Sequence, residues 1–299
     1  MKKKLVLFIL FGLLLLPSLS SAQRWRFHRN EIGIGVGPTA LMGDVGGGPD
    51  EATNFYKDLD LKSSRASIEG KYLYMLAQNF GVGGSLMVGY VSANDDFTEN
   101  PSRANRNLNI RTFFTELSGQ VRFYPLKEKF GHVYRLRGAR INIIQNTSVY
   151  LYTGFGATFF NPQGPYNGKW YGLRKLGTEG QGIMPGSDFY TPITPVIPFG
   201  LGIKYALSNK LNFEFEYGGR KTFTDYFEDV STLYFDNDLI LQERGEVAAA
   251  LADPNEGDRP TWTDPGERRG DPGDKDFYFF LNVSFNYKFI KGTSYKPRF

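Results

Sequence analysis

The sequence predicts an all-β protein, an eight-stranded antiparallel transmembrane β-barrel with a filled polar lumen and long outer loops. Eight segments alternate between apolar and polar residues, and each is long enough for the ~9 to 11 residues of a tilted transmembrane strand. The connections between these segments alternate between short and long. Aromatic residues make up 16% of the chain, with 26 Phe and 18 Tyr, a composition that favours strands over helices.

The alternating segments are spread along the whole chain, and the last of them has the clearest pattern. Its odd positions, from Phe277 to Phe289, are all apolar, whereas its even positions from Asn282 to Lys288 are polar. No repeat unit and no helical period of convincing length occur, so an all-β architecture is expected. The eight predicted strands are 31–41, 64–76, 80–92, 111–125, 147–160, 195–206, 210–222 and 276–290.

The length of the connections predicts how the strands are arranged. Strands two and three, and strands six and seven, are joined by a few residues only, while residues 42–63, 93–110, 161–194 and 223–275 form long connections. Short turns on the periplasmic side and long loops on the outer side are typical of outer-membrane barrels. One connection departs from this pattern, because residues 126–146 should be a short turn and are instead long and basic.

The parity of the strands predicts which side chains face lipid. The apolar positions of the last strand would face the membrane, with Tyr287 and Phe289 in an aromatic girdle at the periplasmic interface. Alternation alone also fits a soluble, lipocalin-like barrel, with the apolar face inside. Such a small soluble barrel would have to bury the charges of the polar face, and this favours membrane insertion.

An eight-stranded barrel is only wide enough to be filled by its own side chains. The predicted lumen residues carry both signs of charge, so we expect them to pair and to plug the interior. The alternative is a narrow ion path lined by the same charges. The predicted lumen set is Glu69, Lys71, Glu116, Gln120, Arg122, Lys204, Glu214, Glu216 and Lys288.

The first 22 residues have the layout of a cleavable signal peptide: three lysines, the apolar run from Leu5 to Leu16, and a small-residue stretch ending at Ala22. Residues 23–299 are then a single barrel domain that is exported to the outer membrane. The sequence has no cysteine. This excludes a lipoprotein, a disulfide scaffold and thiol catalysis.

Charge is distributed by side of the predicted barrel. The last predicted outer loop, residues 223–275, is acidic: its residues 224–275 include 14 acidic and 5 basic side chains. The periplasmic connection 126–146 is basic. A basic periplasmic face suits contact with a partner protein, and the alternative is that these charges are only solvated. No nucleic-acid-binding motif is present. The candidate partner contacts are Lys127, Lys129, Arg135, Arg137 and Arg140.

Four strings of the sequence resemble a known family. They are EIGIGVGPTALMGD (31–44), LGTEGQG (176–182), IPFGLGIKYALS (197–208) and RKTFTDYFEDVS (220–231). With these strings the chain is similar to the Bacteroidetes outer-membrane barrels related to PorG of the type IX secretion and gliding apparatus. The resemblance implies contact with a periplasmic lipoprotein ring of a secretion complex, and it supplies no catalytic residue. Residues 236–275 lie outside it as an insertion.

The loop strings of this resemblance predict an ordered outer loop that caps the barrel. Its glycines allow positive φ angles and close packing. We expect ion pairs among Arg220, Lys221, Asp225, Glu228 and Asp229 to anchor the fourth outer loop; the alternative is a calcium site at Asp225, Asp229, Asp236 and Asp238, whose spacing matches no known calcium loop. No metal and no cofactor are predicted. The loop residues singled out are Gly177, Glu179, Gly180, Gly182, Arg220, Lys221, Asp225, Tyr226 and Asp229.

An enzyme is the other class of protein to weigh. Catalysis at a membrane rim generally needs a histidine or a carboxylate pair near a serine. The two histidines, His28 and His132, fall on the predicted periplasmic side, opposite Ser187 and Ser231. The sequence therefore predicts a non-enzymatic barrel that anchors an envelope complex. The alternatives are a stand-alone structural or adhesin-like surface barrel and, third, a narrow channel.

Overall fold

The strands close into a barrel, as the alternating pattern predicts. The computed structural model describes residues 28–45, 63–98, 100–127, 146–255 and 257–290. All pairings between its strands are antiparallel, and eight of the strands follow each other around the barrel in sequence order. The strands are β1 (Asn30–Met42), β2 (Arg65–Met75), β3 (Phe80–Asn94), β4 (Asn109–Leu126), β5 (Thr147–Tyr166), β6 (Lys169–Gly172), β7 (Ile193–Ala206), β8 (Leu211–Thr222) and β9 (Phe277–Phe289).

The barrel is closed by pairing between its first and last strands. Along β1 and β9 the ladder runs from Asn30 opposite Phe289 to Met42 opposite Phe277. The long pairing of β4 with β5 completes the wall on the far side. Closure leaves no free edge in the barrel wall, and this removes the usual site of edge-to-edge aggregation. The predicted eight-stranded antiparallel barrel is thus confirmed.

One strand was not predicted. β5 continues beyond the barrel wall to Tyr166 and forms a hairpin with β6, in which Tyr166 pairs with Lys169. The two turn residues, Asn167 and Gly168, have φ angles of 49° and 73°. Positive φ at both positions is the geometry of a type I′ turn, for which Asn-Gly is the preferred sequence.

Short helices, which the sequence pattern does not indicate, occur beside the strands. The described residues contain three short α-helices in the outer connections: α1 (Pro101–Arg106), α2 (Asn237–Arg244) and α3 (Glu246–Ala252). The side chains of Asn100 and Asp236 cap the first two by accepting hydrogen bonds from backbone N–H groups of the first turn. Helices this short do not produce a measurable period in the sequence. Of the helices described, none is long and apolar enough to cross a membrane.

The two ends of the barrel differ as the lengths of the connections predict. Residues 76–79 and 207–210 form the short turns of one end, here called the short end. Lys127 lies at the same end, and its Nζ donates hydrogen bonds to Gln78 Oε1 at 2.7 Å and to Asn79 Oδ1 at 3.0 Å. Of the other candidate partner contacts, Lys129, Arg135, Arg137 and Arg140 lie outside the described residues.

The outer surface of the wall is an apolar belt. Ile34, Leu117 and Phe155 expose 61%, 67% and 65% of their surface, respectively, on three different strands. Aromatic residues border the belt at both ends. At the short end the rings of Phe80 and Phe123 are 5.0 Å apart, and at the opposite end those of Tyr90 and Phe113 are 5.2 Å apart.

The height of this belt follows from the spacing of its aromatic borders on β4. Phe113 and Phe123 are ten positions apart and face outward. With a rise of about 3.4 Å per residue and a tilt of about 40°, they are separated by roughly 26 Å along the barrel axis. The apolar band of an outer-membrane barrel is about 25 Å tall. The belt therefore has the dimensions of a hydrocarbon layer.

Candidate functional site

The lumen of the barrel is lined by buried charges whose signs balance. They occupy the inward positions of six strands, as the parity of the sequence predicts, and five positive groups face five negative ones. The cations are Lys71, Arg122, Lys204, Arg220 and Lys288, and the carboxylates are Glu31, Glu69, Glu116, Glu214 and Glu216.

Glu214 is the centre of the larger ion-pair network. It pairs with Lys71, its Oε2 lies 3.1 Å from Lys204 Nζ, and its Oε1 lies 3.5 Å from Arg122 Nη1. The hydroxyl of Tyr150 donates a hydrogen bond to Glu214 Oε1 at 2.8 Å. Three cations around one carboxylate hold that carboxylate ionised and fix it in place. The neighbouring strands are thereby joined through the interior.

A second network lies nearer the end opposite the short end. Arg220 Nε is 2.8 Å from both carboxylate oxygens of Glu116, and both side chains are fully buried. The hydroxyl of Tyr278 donates to the same carboxylate, and Arg220 Nη1 donates to the Tyr152 hydroxyl at 3.2 Å. The guanidinium also stacks on Phe280, 4.5 Å from the ring centroid. Arg220 is thus held by an ion pair, a hydrogen bond and an aromatic ring.

Inward glycines provide the space for these large side chains. A Cβ at Gly202 would lie 2.3 Å from the Tyr150 ring, and one at Gly218 would lie 1.9 Å from the Tyr152 hydroxyl oxygen. Both distances are far below van der Waals contact. Glycine alternates with bulky polar residues across the lumen, so the interior is packed with side chains.

The structure places all of the predicted lumen residues in the interior. Gln120 donates a hydrogen bond to Ser85 at 3.1 Å, and Lys288 is buried close to the short end. Glu31 was not among the predicted lumen residues, and Arg220 was predicted to belong to a loop motif. Both residues occupy inward-facing positions of their strands. Applying the alternation up to the ends of the predicted strands would have identified them. The nine predicted residues found in the lumen are Glu69, Lys71, Glu116, Gln120, Arg122, Lys204, Glu214, Glu216 and Lys288.

The long connections fold into a cap over the other end of the barrel. This outer cap comprises the described residues of 95–108, 167–192 and 223–276. Phe227 lies at its base, where its ring is 5.1 Å from Phe160, 5.3 Å from Tyr278 and 6.4 Å from Phe114. The hydroxyl of Thr112 donates to the Phe227 carbonyl at 2.6 Å. One aromatic side chain of the cap thus fills the mouth of the barrel.

Glu179 joins two loops of the outer cap. Its carboxylate accepts a hydrogen bond from the backbone N–H of Ser231 at 2.9 Å and from the hydroxyl of Thr232 at 2.7 Å. Arg269 Nη1 lies 3.0 Å from Glu179 Oε1 and also donates to the Asp229 carbonyl at 2.7 Å. The LGTEGQG string therefore binds the fourth outer loop through one buried carboxylate.

The glycines around Glu179 are required by the conformation of this loop. Gly177, Gly180 and Gly182 have φ angles of 67°, 79° and 72°, the left-handed region that other residues rarely adopt. A Cβ at Gly180 would also lie 2.6 Å from the ring of Phe235. The expected tight, ordered loop is found here, and it packs against the segment that follows β8.

The ion pairs expected within the fourth outer loop are replaced by other contacts. Arg220 points into the lumen and pairs with Glu116, and Lys221 is exposed on the outside of β8. Asp229 accepts hydrogen bonds from the hydroxyls of Thr178, at 2.6 Å, and Tyr190. The fourth loop is therefore anchored by hydrogen bonds and by Arg269, which was not among the predicted loop residues.

The aspartates of the calcium alternative serve separate contacts. Asp236 caps α2, where its Oδ1 accepts from the backbone N–H groups of Asp238 and Leu239, while Asp229 binds Thr178 and Tyr190. Within the described ranges no group of three or more acidic or histidine side chains is arranged to hold a metal ion.

The residues considered for catalysis lie apart. His28 precedes β1 at the short end, whereas Ser187 and Ser231 belong to the outer cap. His132 is outside the described residues. The barrel therefore separates His28 from both serines by its full height.

Residues 236–275, which the resemblance leaves as an insertion, form part of the outer cap. Ile240 of α2 and Ala248 of α3 are fully buried, and Leu176 and Phe235 pack against them. Arg269 is 1% exposed. Removing this segment would therefore open the cap.

Burial raises the pKa values of several carboxyl groups in the outer cap. Desolvation raises the pKa of Asp225 from 3.8 to about 7, with the nearby Asp44 adding to the shift and Lys275 opposing it. Desolvation likewise raises the pKa of Asp229 to about 6, against the attraction of Arg269. Glu228 and Asp276 also have raised pKa values, first because they are buried and then because each faces other carboxyls.

These shifts predict a cap that loosens as the pH rises from acid to neutral. A carboxyl with a raised pKa in the folded state contributes stability that is fully present below about pH 4 and lost as pH rises through its folded pKa. The window for Asp225 and Asp229 therefore runs from about pH 4 to about pH 7. We expect the amide protection factors of residues 223–231, corrected for intrinsic exchange rates, to fall between pH 5 and pH 8. Asp225→Asn should reduce this fall, and protection independent of pH would contradict the assignment.

Comparisons with known proteins add only distant likeness. No protein-family model and no curated protein matches the chain. Ail, the attachment invasion locus protein of Yersinia pestis, is 12% identical with a TM-score of 0.38, and 88% of this chain and 99% of that chain are covered. Neisserial surface protein A is 6% identical with a TM-score of 0.39, with coverage of 87% and 97%. A major outer membrane protein from Thermus thermophilus is 12% identical with a TM-score of 0.36, and 88% of this chain and 100% of that chain are covered.

The fold assignment rests on the strand pairing of this chain itself. The chain has a closed antiparallel wall, an interior of balanced buried charges and an apolar belt on the outside. The chain is an eight-stranded β-barrel with a packed lumen and a folded cap over one end.

Proposed function

We propose that this chain is a non-enzymatic barrel of the outer membrane that anchors or scaffolds an envelope complex and conducts no ions. The observation that carries the proposal is the inverted polarity of the barrel. Charged side chains fill the interior, whereas Ile34, Leu117 and Phe155 lie exposed on the outside. A soluble barrel would leave this belt in water, and a lipid bilayer would cover it.

A role as a channel is disfavoured by the contents of the lumen. Lys71, Arg122 and Lys204 surround Glu214, and Phe227 occupies the outer mouth. An ion passing through would have to displace buried pairs that are already neutralised by each other. The barrel thus offers two rigid faces to other molecules, one at each end.

The short end is the face that we assign to a partner, as a component of a secretion-related complex of the type IX kind. The sequence places basic residues in the connection 126–146, and Lys127 is held at the short end by Gln78 and Asn79. A basic face favours an acidic partner in the periplasm, for which a ring lipoprotein is the candidate.

A stand-alone surface barrel is the second candidate function. It is favoured by the outer cap, which is ordered by buried contacts such as that of Glu179 with Arg269 and carries an excess of acidic residues. In this case the outer face would bind a basic ligand or a cell surface, and the short end would have no partner.

Copurification from native outer membranes separates the two candidates. We expect a tagged chain to sediment with the outer membrane and to retain periplasmic lipoproteins identified by mass spectrometry. The triple reversal Arg135→Glu, Arg137→Glu and Arg140→Glu should remove them, because it inverts the charge of the connection.

The matched control reverses three exposed lysines of the opposite end, Lys169, Lys175 and Lys275, and should leave copurification unchanged. Recovery of the barrel without any copurifying lipoprotein would contradict the anchor role and favour the surface candidate. Absence from the outer-membrane fraction would overturn the membrane assignment itself.

A further inference from the structure

We propose that Arg111, at the outer end of β4, forms with Trp170, Tyr90 and Gln163 a binding site for the phosphate of an anionic lipid head group. These four residues are here called the Arg111 site. The inference rests on the proposed function, since it places the apolar belt in a membrane. To that function the inference adds a class of ligand, the anionic lipids, and the place on the barrel where such a lipid binds.

The guanidinium of Arg111 is held in a fixed orientation. Its Cζ lies 4.0 Å from the centroid of the Trp170 ring and 5.7 Å from that of Tyr90. Nε donates a hydrogen bond to Gln163 Oε1 at 3.0 Å. Cation–π contacts and one hydrogen bond therefore fix the plane of the group, so little entropy is lost when it binds a ligand.

The β5–β6 hairpin, which was not predicted, builds this site. Gln163 lies opposite Arg111 in the β4–β5 ladder and opposite Gly172 in the β5–β6 ladder. Trp170 lies on β6. The Asn-Gly turn reverses the chain so that this short strand pairs with β5. The hairpin thus brings an aromatic ring against an arginine that would otherwise be free to rotate.

The site lies at the height of lipid head groups. Arg111 is the next outward position on β4 beyond Phe113, which with Tyr90 forms the outer border of the apolar belt. One step of two residues moves it about 5 Å further along the axis, from the hydrocarbon layer into the head-group region. A cation at this level meets the phosphates of the outer leaflet.

The chemistry of the site selects a phosphate. The contacts to Gln163, Trp170 and Tyr90 engage Nε and the face of the guanidinium, and they use neither of its two Nη groups. Two parallel N–H donors match two oxygens of a phosphate, which a lysine ammonium cannot match in the same way. A zwitterionic head group would also bring a positive charge toward the arginine and would bind more weakly.

Native mass spectrometry of the full-length, detergent-released barrel tests the site. The probes are dioleoyl phosphatidic acid, dioleoyl phosphatidylcholine and inorganic phosphate. We expect the barrel to bind phosphatidic acid at about tenfold lower concentration than phosphatidylcholine. Arg111→Ala should abolish this preference, and Arg111→Lys, which keeps the charge without the fork, should reduce it about threefold.

The matched control is Lys221→Ala, which removes an exposed, outward cation from the outer end of β8 without touching the Arg111 site. It should keep the full preference. If Arg111→Ala retains the preference, or if Lys221→Ala loses as much of it, the site is overturned and only general surface charge acts. If inorganic phosphate binds as tightly as the lipid and displaces it, a soluble phosphate replaces lipid as the ligand and the proposal fails.

Failure of the site is distinguishable from failure of the proposed function. Fractionation of cells that carry Arg111→Ala reports whether the barrel resides in the outer membrane, and a heat-dependent gel shift reports whether it is folded. A folded barrel in the outer membrane that shows no lipid preference contradicts the Arg111 site alone. Phosphate selectivity in detergent by a barrel absent from the outer membrane supports the site and contradicts the proposed function.

Discussion

Replacing Glu214 by alanine is expected to destabilise the barrel by about 3 to 5 kcal/mol, the cost of leaving buried charges without their partner. Glu214 is fully buried and lies between Lys71, Lys204 and Arg122. Without its carboxylate these cations face one another in a closed interior with one negative charge fewer. The free energy of unfolding, measured by urea titration of the barrel refolded into lipid vesicles, should fall by this amount.

The charge balance of the lumen provides a sharper form of this test. In the double variant Glu214→Leu, Lys71→Met one charge of each sign is removed, so the interior is neutral again, while Glu216 keeps Arg122 Nη2 at 3.1 Å and Lys204 keeps Glu31. We expect it to recover at least half of the lost stability, because an apolar pair of similar volume often replaces a buried ion pair at little cost. Glu243→Ala, at an exposed position on α2, is the control and should change stability by less than about 0.5 kcal/mol. Equal losses in the single and double variants would show that charge balance is unimportant.

The barrel wall was predictable from the sequence for a local physical reason. In a strand that separates a polar lumen from an apolar exterior, polar and apolar side chains must alternate at every residue. The sequence alone therefore shows that Phe285 faces outward and Asn286 faces inward, without any knowledge of the partner strands. The same alternation predicted that Glu214 and Lys71 face one interior. It did not predict which cation meets which carboxylate, because that depends on the stagger of strands far apart in sequence.

The outer cap was not predictable, because its contacts carry no period. Arg269 reaches Glu179 across 90 positions of sequence, and Phe227 fills the barrel mouth from a loop. α2 and α3 are too short to show a helical pattern and are buried against other loops. The β5–β6 hairpin is different, because the Asn167-Gly168 pair is a local signal that would have predicted it. The partner contacts at Lys129, Arg135, Arg137 and Arg140 remain predictions from charge.

Substitution of Gly37 by alanine is expected to cost about 3 kcal/mol, at the top of the range for overpacked sites. Gly37 lies on β1 where the ladder to β9 is interrupted between Val36 and Thr39. A Cβ there would lie 1.7 Å from the carbonyl oxygen of Leu281 and 2.8 Å from its carbon. Both atoms belong to the backbone of β9, so no change of rotamer relieves the clash. The strand that closes the barrel must move instead.

Gly70→Ala is the matched control for this substitution. Gly70 lies on the outside of β2, and a Cβ there would have no neighbour within 4 Å. Alanine at such a strand position should be neutral or stabilise by about 0.5 kcal/mol, since it restricts the unfolded chain. Unfolding of both variants in urea, together with the yield of folded barrel on a heat-dependent gel shift, compares the two sites directly. A loss at Gly37 alone would place the weak point of the fold at the β1–β9 seam, where the barrel closes. Equal behaviour of the two variants would mean that β9 can retreat from β1 without cost.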